Sequence, residues 1–464
     1  MPFFIRGKRP LDRSDKKPKR GIKRNAQPPT KRPPKERPNM DEEITSDEED
    51  EYIRGKPEKF EEYETDEDLE TPQEKKVRLA RQYIKELEEQ KASAQEARDV
   101  DYDAIGHRLR EDVLEASGKL YKPVAETIAE ADTENILTLK SKQQKLPVTC
   151  MVVTSDDQHI FCGSKDCSLV KYTIDGKRVA TIPGGRKGTE KVHVGHTTHV
   201  YSLAVSSDGM YLASGDQGGY IHIWNAKTME HLKSFKKHRA AISGLVFRRG
   251  SHTLYSCSHD RMVIVWNIDA MAFVEHLGGH QDAITGIDAL YRESCITSGG
   301  RDQSVIVYVI VEDKQLRFAG HQDSIDGVKL LNEKTFFTYS QDGTISMWIT
   351  SKKRPQSVHK AAHGYQSNGQ PHWITAIATL VNSDLLASAG SMDGFIRLWK
   401  INTGKQRGLE PILSIPVGGV VNSLAFTSNA SHLVAGVGRE HKLGRWYCIK
   451  SGKNSVLVIP LKKK

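Results

Sequence analysis

Seven times this chain rewrites one pattern: a strand ending in small residues, a tight turn holding an acid, then a β-branched strand closing on an aromatic. Ser256 to Trp266 is the cleanest copy. The others run Gly163 to Tyr172, Ser214 to Trp224, Ser298 to Tyr308, Ser340 to Trp348, Ser388 to Trp399 and Ala435 to Trp446. The copies recur at roughly forty to fifty residues, the period of a four-stranded blade that must stack on its neighbours to bury its faces. A ring of such blades leaves no open sheet edge. The chain is therefore expected to be all-β, a seven-bladed β-propeller over 124–464. Either the run before Pro147 or the last run, Ser455 to Ile459, supplies the outer strand that latches the first blade to the last.

Ahead of most copies stands a histidine: His196, His238, His280, His321 and His363. An aspartate recurs six positions before the closing aromatic, as Asp166, Asp260, Asp302, Asp342 and Asp393. This combination resembles the WD-repeat family. The resemblance implies a buried network in each blade, with Asp orienting His and His bonded onward to Ser and Trp; Trp266, Trp348 and Trp399 are the clearest partners. Ser, His and Asp also make a hydrolase triad, but five near-equivalent copies cannot each be an active site. No nucleophile elbow, Walker loop or His-Glu-x-x-His motif is present, so no catalytic activity is expected. Gly218 in copy two and Glu440 in copy seven stand where Asp is expected, and those turns should be looser.

The 464 residues carry a formal charge of +9, unevenly spread. Residues 1–40 hold 14 basic and 3 acidic side chains, and residues 41–74 hold 3 basic and 17 acidic. The first stretch has little to bury, so residues 1–70 read as a disordered tail, basic then acidic. Lys8-Arg9, Lys16-Lys17, Lys19-Arg20 and Lys23-Arg24 form clusters of the kind importins read, which points to the nucleus. Ser46 and Thr65, each followed by acids, suit an acidophilic kinase. Thr71-Pro72 opens a helical extension over 71–123, capped by Thr with Pro in the first turn. Its apolar stripes are Val77, Ala80, Tyr83, Ile84 and Leu87, then Ile105, Leu109, Val113 and Leu114. The six cysteines show no metal-binding spacing and read as reduced, buried filler. No run approaches the ~20 apolar residues of a membrane span, so a soluble intracellular chain is expected.

Propellers of this kind bind on the narrower face, where the turn before each Asp and the residues after each His converge. Those positions hold Lys165, His199, Arg239, His259, Arg261, Arg301, Gln341, Trp373 and Arg439, with Lys236 and Lys237 beside them. Arginine forks phosphates and stacks on bases, and an aromatic adds a stacking surface. We therefore read Lys165, Arg239, His259, Arg261, Arg301, Trp373, Arg439, Lys236 and Lys237 as candidate RNA contacts. Acidic protein tails are the competing ligand class.

Two stretches ahead of the propeller are more specific. Glu74-Lys75-Lys76-Val77-Arg78-Leu79-Ala80 with Tyr83-Ile84, and Asp103 to Asp112, resemble the segment preceding the blades in the WD-repeat subunit family of the U3 small nucleolar ribonucleoprotein. The order of parts also matches: basic tail, acidic tract, charged helix, then seven blades. The resemblance implies a scaffold without cofactor or metal, monomeric within a large assembly in the nucleolus. Its partners would be U3 small nucleolar RNA, at the box B/C element, and other proteins of the small-subunit processome. The rival class is a nuclear peptide-binding scaffold, a chromatin or ubiquitin-ligase adaptor. Ligase receptors carry Trp-Asp-x-Arg at blade ends, whereas here Trp224 and Trp266 precede Asn, and Trp399 precedes Lys400.

Overall fold

The computed structural model describes residues 121–189, 193–404, 407–450 and 452–464, with Gly106, Arg110, Val113 and Leu114. The basic clusters, Ser46, Thr65 and the helix expected from Thr71 lie outside the described residues. Of the second expected helix, those four isolated positions are helical, with Val113 67% and Leu114 41% exposed.

Alternation of β-branched and polar residues produces the strands, and each group of four forms one antiparallel sheet. Blade one is Val148–Val153, His159–Ser164, Leu169–Thr173 and Arg178–Ile182. Five further four-stranded sheets follow in order, ending with blade six, Ile374–Thr379, Leu385–Gly390, Phe395–Asn402 and Gly408–Pro416. Because strands alternate in direction, the loop entering each blade and the turn between its second and third strands lie on one face, here the His–Asp face.

Near the start of each inner strand a β-branched residue is wedged against its neighbours: Val148, Val200, Ile242, Ile284, Ile325 and Ile374, all fully buried, and Val421, second in its strand, at 2% exposed. Directly after each comes a β-bulge. A bulge re-aims the residue it contains, and here five of the seven reach across to the next blade. Thr149 donates to the Val200 carbonyl (2.5 Å), Ser243 to Ile284 (2.5 Å), Thr285 to Ile325 (2.8 Å) and Thr375 to Val421 (2.6 Å). Asn422 closes the circuit onto the Val148 carbonyl (2.9 Å). Tyr201 and Asp326 are the two exceptions. Inner strands run close: a Cβ on Gly286 would lie 3.0 Å from the Gly327 Cα, so a side chain there would push the two strands apart.

A histidine joins an aspartate and a hydroxyl in the turns of blades two, three, four and six. His238 bonds Asp260 (2.9 Å) and Ser256 (2.8 Å), and Trp266 donates to the same hydroxyl (2.9 Å). His363 joins Asp393 and Ser388, which also accepts from Trp399 (2.8 Å). In blades four and five the hydroxyl comes from threonine: His280 bonds Thr297 and Asp302, while His321 and Trp348 share Thr338. Asp342 accepts the Thr344 N–H (2.8 Å). Blade two is not loosened by Gly218 as expected, because Asp216, two residues earlier, takes His196 at 3.1 Å.

Ring closure resolves the open alternative and corrects the seventh copy. Blade seven consists of Val420–Phe426, His432–Gly438 and Ser455–Lys463, with Ile128–Ala131 as its outer strand. The run before Pro147 is therefore the latch, and the last run is the third strand. Trp446 does not close a strand. It lies in an insertion spanning 439–454 and is 62% exposed. The segment Glu440 to Trp446 has no β-branched run to pair with a sheet, unlike Val263-Ile264-Val265 in blade three.

Candidate nucleic-acid interface

The His–Asp face divides into two parts. On blades two to four, Lys236, Lys237, Arg239, Arg261 and Arg301 are all exposed. Lys236 lies 4.3 Å from the Tyr220 ring centroid and donates to its hydroxyl (2.6 Å); Lys237 stands over Phe273. Arg239 follows His238, and its backbone N–H is fixed by the Asp260 carboxylate (3.0 Å). Arg261 has φ +70. Gly219, Gly343 and Gly394 occupy the same left-handed position in three other blades. Cys167 and Gln303 hold the same position with positive φ in blades one and four, and a side chain there costs on the order of 1 kcal/mol relative to glycine. Asp282 and Asp323, in the next two entry loops, bring negative charge to the far edge of this arc.

The remaining sequence-expected residues are placed differently. Lys165 is buried; its ammonium bonds Glu440 Oε1 (2.9 Å) and the His441 carbonyl (2.8 Å). It joins blade one to blade seven and is not presented to a phosphate. Burial alone would raise the Glu440 carboxyl, but hydrogen bonds from Lys165 and Arg445 hold it below its ordinary range. Trp373 is half-buried rather than exposed, its indole N–H donated to Asp326. His259 is half-buried, and burial, with Lys442 nearby, lowers the pKa of its imidazole. His199 binds the Lys165 carbonyl (2.6 Å). Arg439 is exposed, with its Nε donated to the Gly452 carbonyl (2.8 Å).

The 439–454 insertion, which sequence reasoning misread, covers the channel mouth on this face. His441, Lys442 and Leu443 meet Tyr201, Ser243, His259, Thr285, Asp326 and Thr375 around a remnant of about 30 Å³. On the opposite face the channel widens to about 800 Å³. Asn422 anchors the insertion by accepting the Lys442 N–H (2.9 Å) and donating to the Glu440 carbonyl (3.2 Å). Burial pushes His441 down to about 3, with Lys442 and Lys165 adding to the effect, so the ring packs as an uncharged aromatic against Trp373 at 4.5 Å. Burial pushes the Asp326 carboxyl up to about 7, against the pull of Trp373 and Lys442.

Exposed cations thus line one arc of the His–Asp face, on blades two to four. The WD domain, G-beta repeat family matches residues 271–308 and 364–400, and the IP5P C-F beta-propeller family matches 117–277. The chain is a WD-repeat β-propeller protein, a class consistent with binding rather than catalysis. U3 small nucleolar RNA-interacting protein 2 of Homo sapiens is 47% identical over 85% of this chain and 83% of its own length. The chain belongs to the family of that protein. A U3 snoRNP-associated protein-like protein of Arabidopsis thaliana is 31% identical over 85% of this chain and 86% of its own. The solved structure of U3-55K matches with a TM-score of 0.68 at 46% identity, covering 71% of this chain and 100% of that one.

Proposed function

We propose that this protein is a non-catalytic RNA-binding subunit of the U3 small nucleolar ribonucleoprotein. It engages U3 small nucleolar RNA at the box B/C element and acts in early pre-ribosomal RNA processing for the small subunit. It works in the nucleolus as a single copy among other processome proteins. The observation that carries this reading is the 47% identity to a U3 RNA-interacting protein, maintained over 85% of the chain. The exposed arc of Lys236, Lys237, Arg239, Arg261 and Arg301 supports it, because phosphate recognition needs cations held on a fixed frame. The proposed domain division, a tail over 1–70 and a helical extension over 71–123, leaves the propeller as the RNA platform and the extension for assembly proteins.

The test is crosslinking of the full chain to RNA in cells, with sequencing of the bound fragments, beside in-vitro binding to a U3 transcript across salt concentrations. Combined Arg239→Ala, Arg261→Ala and Arg301→Ala substitution should lower the salt slope by about 3 and each loss should cost about 1–3 kcal/mol. Absence of U3 enrichment in cells would sink the reading in favour of a peptide-binding scaffold. Enrichment that survives the triple change would keep the function and move its site to another rim.

A further inference from the structure

Trp446 is the one tryptophan among the described residues that is mostly exposed, at 62%. Its inner side is not free to turn: His441 lies 5.4 Å away and Trp373 5.6 Å away, centroid to centroid. Trp373 is in turn tied to Asp326 of blade five. The ring is thus braced from beneath and open above.

Its surroundings identify the ligand. The insertion contributes Arg439, Arg445, Lys450 and Lys453 at its surface, with Lys442 turned into the channel near Asp326, against a single acid, Glu440. That acid is buried, and both its oxygens are taken, by Lys165 and by Arg445. Arg445, adjacent to Trp446, is held at one nitrogen by Glu440 while its side chain remains 71% exposed. An apolar protein segment would gain little from a ring whose chain neighbour is an exposed guanidinium. An unpaired nucleotide offers the complementary pair, a flat base for the indole and a phosphate for the guanidinium.

We infer that the 439–454 insertion is a base-stacking element: Trp446 takes an unpaired nucleobase of the bound RNA, and Arg445 holds the adjoining phosphate. This rests on the RNA-binding reading above and gives its platform a second function. The cationic arc on blades two to four sets position through the backbone, while Trp446 distinguishes RNA with an accessible base from continuous duplex.

The experiment compares full-length wild type, Trp446→Ala, Trp446→Phe and the Arg239/Arg261/Arg301→Ala triple variant on a U3 transcript and a length-matched RNA duplex. Trp446→Ala should weaken U3 binding about 5- to 100-fold, the range expected for loss of one base–aromatic stack, with the salt slope unchanged. Trp446→Phe should restore most of the affinity, and duplex binding should not move. Intrinsic fluorescence of the wild type should be quenched by the transcript, and that quench should be lost in Trp446→Phe. Unchanged affinity in Trp446→Ala overturns the inference. So does an equal loss on duplex and transcript, which would make Trp446 a brace for the loop. If the triple variant loses affinity while Trp446→Ala does not, the stacking role alone fails. If wild type binds neither RNA, the underlying function fails with it.

Discussion

Substituting Lys165 by methionine tests whether the join between blades one and seven is held by a buried ion pair. The Lys165 and Glu440 side chains are 9% and 7% exposed and meet at 2.9 Å. Removing one partner from a buried pair costs about 3–5 kcal/mol, because the other charge remains desolvated. Two local features adjust that figure. Arg445 still reaches Glu440, which softens the loss, and the His441 carbonyl loses its donor (2.8 Å), which adds roughly 1 kcal/mol or more. We expect Lys165→Met to cost about 3 kcal/mol. Glu440→Gln should cost less, since Lys165 keeps the carbonyl and a neutral acceptor. The double variant should fall short of the sum by about 2 kcal/mol, the coupling expected for groups in one network. Urea unfolding followed by tryptophan fluorescence measures all four proteins, and unchanged m-values would confirm that stability is what moved. Lys314→Ala is the internal control: its pair with Glu312 leaves the side chains 66% and 54% exposed and should be worth under ~0.5 kcal/mol. A coupling indistinguishable from that control would refute the account.

Three further outcomes are expected. Arg261→Gly should raise stability by up to ~1 kcal/mol, by releasing the φ +70 strain, while weakening RNA binding and lowering the salt slope by about 1; loss of both properties would contradict a functional origin for the strain. Ser256→Ala should cost about 2–4 kcal/mol in urea titrations, since His238 and Trp266 both lose a buried partner. Asp326→Asn should stabilise the protein at pH 8 and give little or no gain at pH 5. Burial raises the Asp326 carboxyl to about 7, so the native state binds more protons than the unfolded one and stability falls as pH rises from about 4 through 7. Asn422 already uses an amide at the equivalent bulge in blade seven. A flat difference in melting temperature across that pH window would count against the buried carboxyl.

The repeat made most of this architecture legible. Six aromatic-terminated strands and a seventh strand of small residues ending at Gly438 set the blade number, and the His–Asp turns mark the face that the blades share. The exceptions are where one residue type serves two geometries. Trp446 fitted the aromatic position six residues after an acid, but Glu440 to Trp446 lacks the alternating β-branched residues that make a strand. That signal was readable and was outweighed by the periodicity. Lys165 and Arg301 stand in corresponding turns and read alike, but only Lys165 faces an acid from another blade, Glu440, which is 275 residues away in the chain. Pairings of that separation are invisible to local pattern. The bulge circuit from Thr149 to Asn422 was also missed, because Thr, Ser and Asn are interchangeable there as donors and leave no common letter.

The latch in blade seven has a consequence in time. Ile128 pairs with Lys463, almost the last residue of the chain. At about 5–20 residues per second, roughly 17 to 67 s of synthesis separate the two strands. Throughout that interval the early blades exist without their closing partner, and the ring remains an open arc with two bare edges. Closure therefore waits for the third strand of blade seven to emerge, and until then nascent chains of this protein offer chaperones, or one another, an unpaired strand.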